Sequence, residues 1–432
     1  DVHHLAMALR ACRDYLQFAG PQYNDSYRAR AEERVPPPFQ RLADSRPGRI
    51  RFVRRVLRAL VPAAERLLPP SDVARRYLAS HAPDVVAFTP YVGLRTVQPD
   101  FLKAAQALGL PTAVFVASWD NLSSKSLLRP VPDLVTVWNE TQRTEAAQLH
   151  GIDAARVVVT GAQCFDHWFG WPARPREEFC ARAGLDPQRP YLLYTCFSPF
   201  KGQNSEPAFV RRWLEQLRAH PDAVLRDIGV LVRPHPKRGA QWRGVDLSGF
   251  GNVAVWPSEG AMVLADSARA DFYDSIFHSV AVVGLNTSAM IEAGIVGRPV
   301  HTLLVPEYWE SQEGTLHFRY LAEVGGGLLQ IARTWGEHLA QLAASAGSAG
   351  GAHAPARTFV ESFVRPHGLG VAASPVFADA VVRLAVRPTA ASPRSERGQR
   401  LQYVLVGPIA RRAAAARDRE AGRRKTGRKV VS

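Results

Sequence analysis

From residue 84 onward, short runs rich in β-branched residues alternate with stretches of helical period. That alternation restricts the chain to α/β architectures built on parallel sheets. Candidate strands fall at 84–89, 112–118, 134–138 and 157–160, with helices fitting at 99–108 and 140–149. Two proline-containing breaks follow, at 171–175 and 186–190, and then the alternation restarts. Strands fit at 191–196, 229–233, 253–256, 279–285 and 299–304, with helices at 206–219 and 288–296 and a last helix at 375–386. The Gly, Ala and Ser-rich stretch 343–356 reads as a loop. With 46% hydrophobic and 22% charged residues the chain has ample material for packed cores, which excludes global disorder.

The natural organisation is two Rossmann-like halves. An N-terminal domain covers 1–170, with its first unit truncated or degenerate, and a nucleotide-binding domain covers 171–387. A basic tail at 388–432 has little apolar periodicity. Such a pair places a ligand cleft between the halves, at the carboxyl ends of the strands. The chain opens at Asp1 in a helical pattern (Leu5, Leu9, Cys12, Leu16), so residues upstream are expected to be missing. The cysteines, Cys12, Cys164, Cys180 and Cys196, are widely spaced. This disfavours a zinc ribbon or a disulfide framework and suits a reducing cytoplasm. No secretory signal is recognisable, and the apolar runs fall far short of the roughly 20 residues that span a bilayer.

The formal charge of +15 is unevenly placed. Residues 28–76 carry +8 and residues 397–432 carry +9, leaving the remainder at −2. Of the basic residues 48 are arginine and only six lysine, as a GC-rich coding sequence would give. A nucleic-acid-binding protein would show arginine stripes with interleaved aromatics on a recognised module. Here the charge flanks a nearly neutral body, so nucleic acid is not the expected partner. Within 50–61, Val53, Val56, Leu57 and Leu60 share one helical face, while Arg51, Arg54, Arg55 and Arg58 share the other. This suits either an anionic membrane surface or an ordinary packed helix with a solvated arginine face.

Five segments carry candidate chemistry. An apolar strand feeds Asn286, Thr287 and Ser288 at a helix start, where free amides and the helix dipole suit a pyrophosphate. Glu292, one turn on, is placed to take ribose hydroxyls, the bland alternative being an N-cap and a solvated acid. Arg233, His235 and Lys237 follow the next candidate strand, with prolines bracketing the histidine. All three are donors suited to phosphate. Asp120 lies beyond the strand at 112–118 as a candidate general base, with Trp119 and Asn121 as acceptor contacts. An Asx turn and a core tryptophan explain the same residues. Ser198 and Lys201, after the strand at 191–196, are further donor-phosphate candidates. The loop 306–318 mixes carboxylates, aromatics and His317 without metal-ligand spacing, so sugar binding or a plain polar loop is expected. No G-x-G-x-x-G, Walker loop, H-E-x-x-H or G-x-S-x-G motif occurs.

In order and spacing these motifs resemble GT-B glycosyltransferases. Residues 158–161 with Phe165 and Asp166 resemble the end of that family's N-terminal domain. Residues 233–236 resemble the phosphate-contacting loop of CDP-glycerol glycerophosphotransferases. Residues 286–292 are similar to the nucleotide site of both, and of non-hydrolysing UDP-N-acetylglucosamine 2-epimerases, in which an acidic loop also corresponds to 118–121. The resemblance covers roughly 84–340, and nothing before 84 looks like the family's usual Gly-rich opening. It implies two Rossmann-like domains of GT-B type and a metal-independent, cofactor-free enzyme. The donor would be a nucleotide diphosphate of UDP or CDP type, carrying a sugar or a glycerol-phosphate-like group. The acceptor would be a cell-surface polysaccharide or a lipid-linked molecule, met in the cytoplasm at the inner face of the plasma membrane. Arg233 and His235 would neutralise donor phosphates, Thr287 and Ser288 would present the helix end, Glu292 would take the ribose and Asp120 would be the base. A sugar-nucleotide 2-epimerase, an inactive scaffold of this fold and a basic nucleic-acid-binding protein are the competing expectations.

Overall fold

Alternation of side chains along each strand divides the residues of the first sheet between two cores. The computed structural model describes residues 3–93, 96–198, 200, 205–262, 265–347 and 354–386, so Lys201 and the basic tail lie outside the described residues. The chain forms two compact units. The first comprises residues up to Val137, Thr141–Val159 and the chain from Phe377, and the second comprises Trp138–Glu140 and Thr160–Val376. The division therefore falls earlier than residue 170, and the last helix returns to the first unit. Trp138 and Asn139 go with the second unit because they pack there. The Trp138 ring meets Phe165 edge-on at 5.4 Å, and Asn139 Nδ2 donates to the Phe363 carbonyl at 2.7 Å.

The first unit holds a four-stranded parallel sheet in the order β1 (Val86–Phe88), β2 (Thr112–Phe115), β3 (Leu134–Val137), β4 (Val157–Val159). Val114, Val135, Val137, Val157 and Val159 face one core with Leu102, Leu122 and Leu128. Their neighbours Ala113 and Leu134 point the other way, onto Ala380 and Leu384 of the C-terminal helix Ala373–Ala385. Period-two alternation alone produces this split.

Before the sheet come five helices: His3–Phe18, Asp25–Glu32, Pro37–Asp44, Arg51–Leu67 and Asp72–His81. The first is fastened by a buried ionic network. Arg10 donates to Glu65 Oε1 at 2.6 Å and to Asp100 Oδ1 at 2.7 Å, and Arg13 donates to Glu65 Oε2 at 3.1 Å. Asp14 in turn accepts from Ser126 Oγ and the Leu127 amide. The helix Arg51–Leu67 corrects the simple two-faced expectation. Arg54 and Arg58 reach the carbonyls of Ala19 and Leu16 at the end of the first helix, whereas Phe52, Leu60 and Leu67 are 72%, 58% and 57% exposed.

The second unit is a six-stranded parallel sheet in the order β10-β9-β8-β5-β6-β7. Its strands are β5 (Tyr191–Thr195), β6 (Gly229–Arg233), β7 (Val253–Val255), β8 (Ala281–Gly284), β9 (Val300–Leu303) and β10 (Leu329–Ala332). The chain starts in the middle, builds outward one way and then the other, which is the doubly wound order. Leu192, Tyr194, Val230, Val232 and Val283 pack against the helices Glu206–Arg218 and Trp335–Gly347. On the opposite face Tyr191 donates to the Ser275 carbonyl of the helix Asp266–Phe277 at 2.8 Å and lies beside Phe179. Strand β10 escapes the sequence pattern, and residues 343–347, read as loop, complete the helix Trp335–Gly347.

Leu384 is 6% exposed in the junction between the last helix and the first sheet. Leu384→Ala should cost about 2–4 kcal/mol, seen as a lower urea midpoint for the first unit with far-UV helicity of the native state unchanged.

Candidate functional site

Where β5 and β8 lie side by side, their outgoing connections leave toward opposite edges of the sheet, and a crevice opens at the carboxyl ends. A pocket of about 250 Å3 occupies this position, lined by the ends of β5 (Thr195, Cys196) and β6 (Arg233, His235), by the turn after β8 (Thr287, Ser288) and by Glu292 of the helix that follows. The sheet thus collects residues that the sequence spreads over nearly a hundred positions. Glycine permits two of the close approaches. A β-carbon on Gly284, the last residue of β8, would stand 2.9 Å from Thr195 Oγ1. Gly260, at φ +73°, backs the 234–236 loop, where a β-carbon would meet the Pro234 carbonyl at 2.9 Å.

Arg233 is the central charge. It is 7% exposed, and its guanidinium lies between two aromatic rings, 5.2 Å from the Trp256 centroid and 5.1 Å from that of Phe272. Nη1 donates to the Asp271 carbonyl at 3.3 Å, and the side chain has no carboxylate ion partner among the described residues. Burial lowers its pKa to about 10, against the fields of Asp271, Tyr191 and Glu292, so it stays charged at neutral pH. A buried cation with donors left over and no paired acid is a site that favours an anion.

Glu292 shares the pocket. Burial pushes its carboxyl up to about 8, and the charge of Arg233 pulls it back. It accepts no side-chain hydrogen bond among the described residues, so near neutrality it is largely a neutral acid able to donate as well as accept. His235 caps the turn Pro236–Trp242, its Nδ1 accepting from the Lys237 amide at 3.2 Å. That bond places the proton of the neutral ring on Nε2. Burial, then the charges of Lys237 and Arg238, hold its pKa below the usual value. The helix Ala289–Val296 begins at the pocket, with Ser288 in the N-cap position and no side-chain cap bond. The Met290 and Ile291 amides already donate to the Thr287 and Ser288 carbonyls, at 3.1 and 2.9 Å, so what the helix offers an anion is its dipole end and the Ala289 amide.

Other candidates lie elsewhere. Asn286 donates to the Ser311 carbonyl and to His317 Nε2, so it fastens the 306–318 loop and does not line the pocket. Lys237 is exposed and its amide donates to His235. Ser198 is exposed and receives Arg238 Nε at 3.3 Å. In the first unit, Asp120 follows β2 and accepts from Ser118 Oγ (2.8 Å), Asn121 Nδ2 (3.3 Å) and Ser124 Oγ (2.8 Å), and it pairs with Lys125 at 3.1 Å. Asn121 Oδ1 accepts from the Ala117 amide. These are the bonds of a turn, and they occupy both carboxylate oxygens with donors. Trp119 is 5% exposed. The carboxylates of the 306–318 loop are engaged, Glu307 with Arg212 and Glu313 with Arg333, and no group of described residues has a metal-binding arrangement.

Sequence reasoning missed the aromatic clamp on Arg233 and also missed Glu206. Glu206 begins the helix after β5 and is 1% exposed. Its carboxyl accepts from the Phe197 amide and the Tyr194 hydroxyl, each at 3.2 Å. Burial pushes it up to about 8 in spite of those bonds. It anchors the backbone directly after the pocket residues Thr195 and Cys196. Nothing in the sequence separates it from the many acids that favour a helix's first turn.

Comparisons with protein-family models and with curated proteins found no match. Among solved structures, the chain is similar to the UDP-GlcNAc 2-epimerase of Methanocaldococcus jannaschii, at 14% identity over 72% of this chain and 80% of that one, with a TM-score of 0.48. It is also similar to a glycosyltransferase from Rickettsia africae, at 11% identity, 73% and 80% coverage and a TM-score of 0.45. A third likeness is to the wall teichoic acid polymerase TagF, at 12% identity, 64% and 69% coverage and a TM-score of 0.40. These likenesses transfer no residue roles, which rest on the pocket's own geometry.

Glu206 and Glu292 hold a proton in the folded chain up to about pH 8 that the unfolded chain releases near 4.5. Their contribution is therefore most favourable below pH 4.5 and is lost as pH rises toward 8. Glu206→Gln and Glu292→Gln should flatten the fall of Tm between pH 5 and 9. Relative to wild type, the variants should gain most at the alkaline end.

Proposed function

We propose that the chain is a transferase whose second unit binds a nucleotide-diphosphate donor at the crevice between β5 and β8. The group transferred is a sugar or a glycerol-phosphate-like group, and the acceptor is a hydroxyl of a polysaccharide or lipid-linked molecule. The observation that carries the reading is Arg233, a nearly buried cation without an acid partner, placed with a helix N-terminus at the carboxyl edge of a doubly wound sheet. Diphosphate oxygens would supply the anion that Arg233 lacks, with His235 Nε2–H and the Ala289 amide at the dipole end of the helix Ala289–Val296 as further donors. Glu292, as a neutral acid, would hydrogen-bond ribose hydroxyls without repelling the phosphates.

In the transfer step the acceptor oxygen forms a bond to the donor's electrophilic carbon or phosphorus. The bond from that centre to the leaving phosphate oxygen breaks, and the leaving group keeps the electron pair. Arg233 and the helix end would balance the charge that accumulates there. The acceptor proton passes to a base or to solvent. A membrane-borne acceptor is supported by the exposed Phe52, Leu60 and Leu67, on a helix that also exposes Arg51 and Arg55. No helix among the described residues is long and apolar enough to cross a membrane.

Thermal-shift titration of the full chain with UDP, CDP and GDP should raise Tm for at least one of them, and less for its monophosphate. His235→Ala and Glu292→Ala should weaken that nucleotide roughly 10–100-fold, the range expected for losing a hydrogen bond to a charged or buried group. Equal affinity in both variants would overturn the site. Donor turnover to an isomer without any acceptor would overturn transfer in favour of epimerisation.

A further inference from the structure

The first unit contains a cavity of about 390 Å3 that shares no residue with the crevice between β5 and β8. It lies at the amino-terminal edge of that unit's sheet. Pro130 and Val131 lead into β3, and Gly151 precedes β4. The residues that follow the carboxyl end of β2, Asp120 among them, lie at the opposite edge.

Three cations line the cavity: Arg66 from the end of the helix Arg51–Leu67, Lys103 from the helix Gln98–Ala107, and Arg129. The single acid among the lining residues is Glu65, and both its oxygens are already held by Arg10 and Arg13. Neither Arg66 nor Arg129 forms an ion pair among the described residues. Arg129 donates only to the adjacent Leu128 carbonyl, at 2.8 Å, and Arg66 makes no side-chain hydrogen bond among the described residues. Burial, with the like charges of Arg13 and Arg66, depresses the Arg129 guanidinium, the response of cations brought together without a counter-ion. Between the charges the walls are apolar, formed by Pro62, Pro70 and Val131 among others.

We propose that this cavity binds a phosphate monoester carrying an apolar group, the phosphate lying between Arg66 and Arg129 and the apolar part against the proline-lined wall. Two sources present that chemistry: a soluble phosphate ester, or the headgroup of an anionic phospholipid reached along the helix that exposes Phe52 and Leu60. Inorganic phosphate alone would leave most of the volume and all of the apolar wall unused.

The test uses the full chain with octyl phosphate below its micellar concentration, inorganic phosphate, octanol, and vesicles of phosphatidylcholine with and without phosphatidic acid. Octyl phosphate should bind at least tenfold more tightly than inorganic phosphate or octanol. Arg66→Gln should weaken it about tenfold and Arg129→Gln at least as much, while His235→Ala leaves it unchanged. Arg66 is exposed and without a partner, so its variant keeps the fold even if Arg129→Gln does not. Binding confined to vesicles containing phosphatidic acid, and lost in Arg66→Gln, supports the proposal with a lipid headgroup as the source. Failure of both octyl phosphate and those vesicles to bind, or equal binding by wild type and Arg66→Gln, overturns it. Nucleotide binding is read separately, so loss of one site is distinguishable from loss of the other.

Discussion

Adjacency of β5 and β8 is the constraint on which the rest of the second unit depends. Strands paired in parallel need crossovers, and two crossovers that leave neighbouring strands for opposite edges cannot both cover the gap between them. The gap lies where strand ends bring up residues from distant parts of the chain. Cys196, Arg233 and Thr287 become neighbours through the order of the sheet, which no local propensity encodes.

Charge is handled differently in the two units. In the first, Arg10 and Arg13 are each paired with carboxylates from Glu65, Asp14 and Asp100, and the buried network fixes the first helix. Breaking such a network strands a partner charge, and its role is positional more than stabilising. In the second unit Arg233 is enclosed by aromatic faces and has no paired acid among the described residues, while Glu292, the acid that shares its pocket, is pushed toward its neutral form. The structural network pairs each of its cations with a carboxylate, whereas the pocket holds a cation with none.

Much of this was legible in the sequence. Runs such as 229–233 and 280–285 are so rich in valine and leucine that burial on both faces is the only stable outcome, and their strands fall within a residue or two of expectation. The prolines around His235 marked a strand end correctly. Strand β10 was hidden because Gly325, Gly326 and Gly327 lead into it and its first three residues are only half-buried, so it lacks the apolar signature. Asn286 and Lys237 were placed by neighbourhood in the chain, but a turn points successive side chains in different directions. Asn286 therefore holds the loop at Ser311, and Lys237 faces solvent. The enclosure of Arg233 depends on Trp256 and Phe272, two single aromatics far apart in sequence with no periodicity to join them. The return of the last helix to the first unit is likewise a matter of chain path, invisible to any pattern of period 2 or 3.6.

Holding Arg233 between two rings also has a kinetic meaning. A flexible surface arginine must give up rotamer freedom each time it grips an anion, and that ordering subtracts from affinity. Here the ordering was completed when the chain folded, with the stacking of Trp256 and Phe272 as its source. The guanidinium thus meets an incoming anion as a fixed surface, so a ligand's shape is tested at first contact instead of being accommodated afterwards.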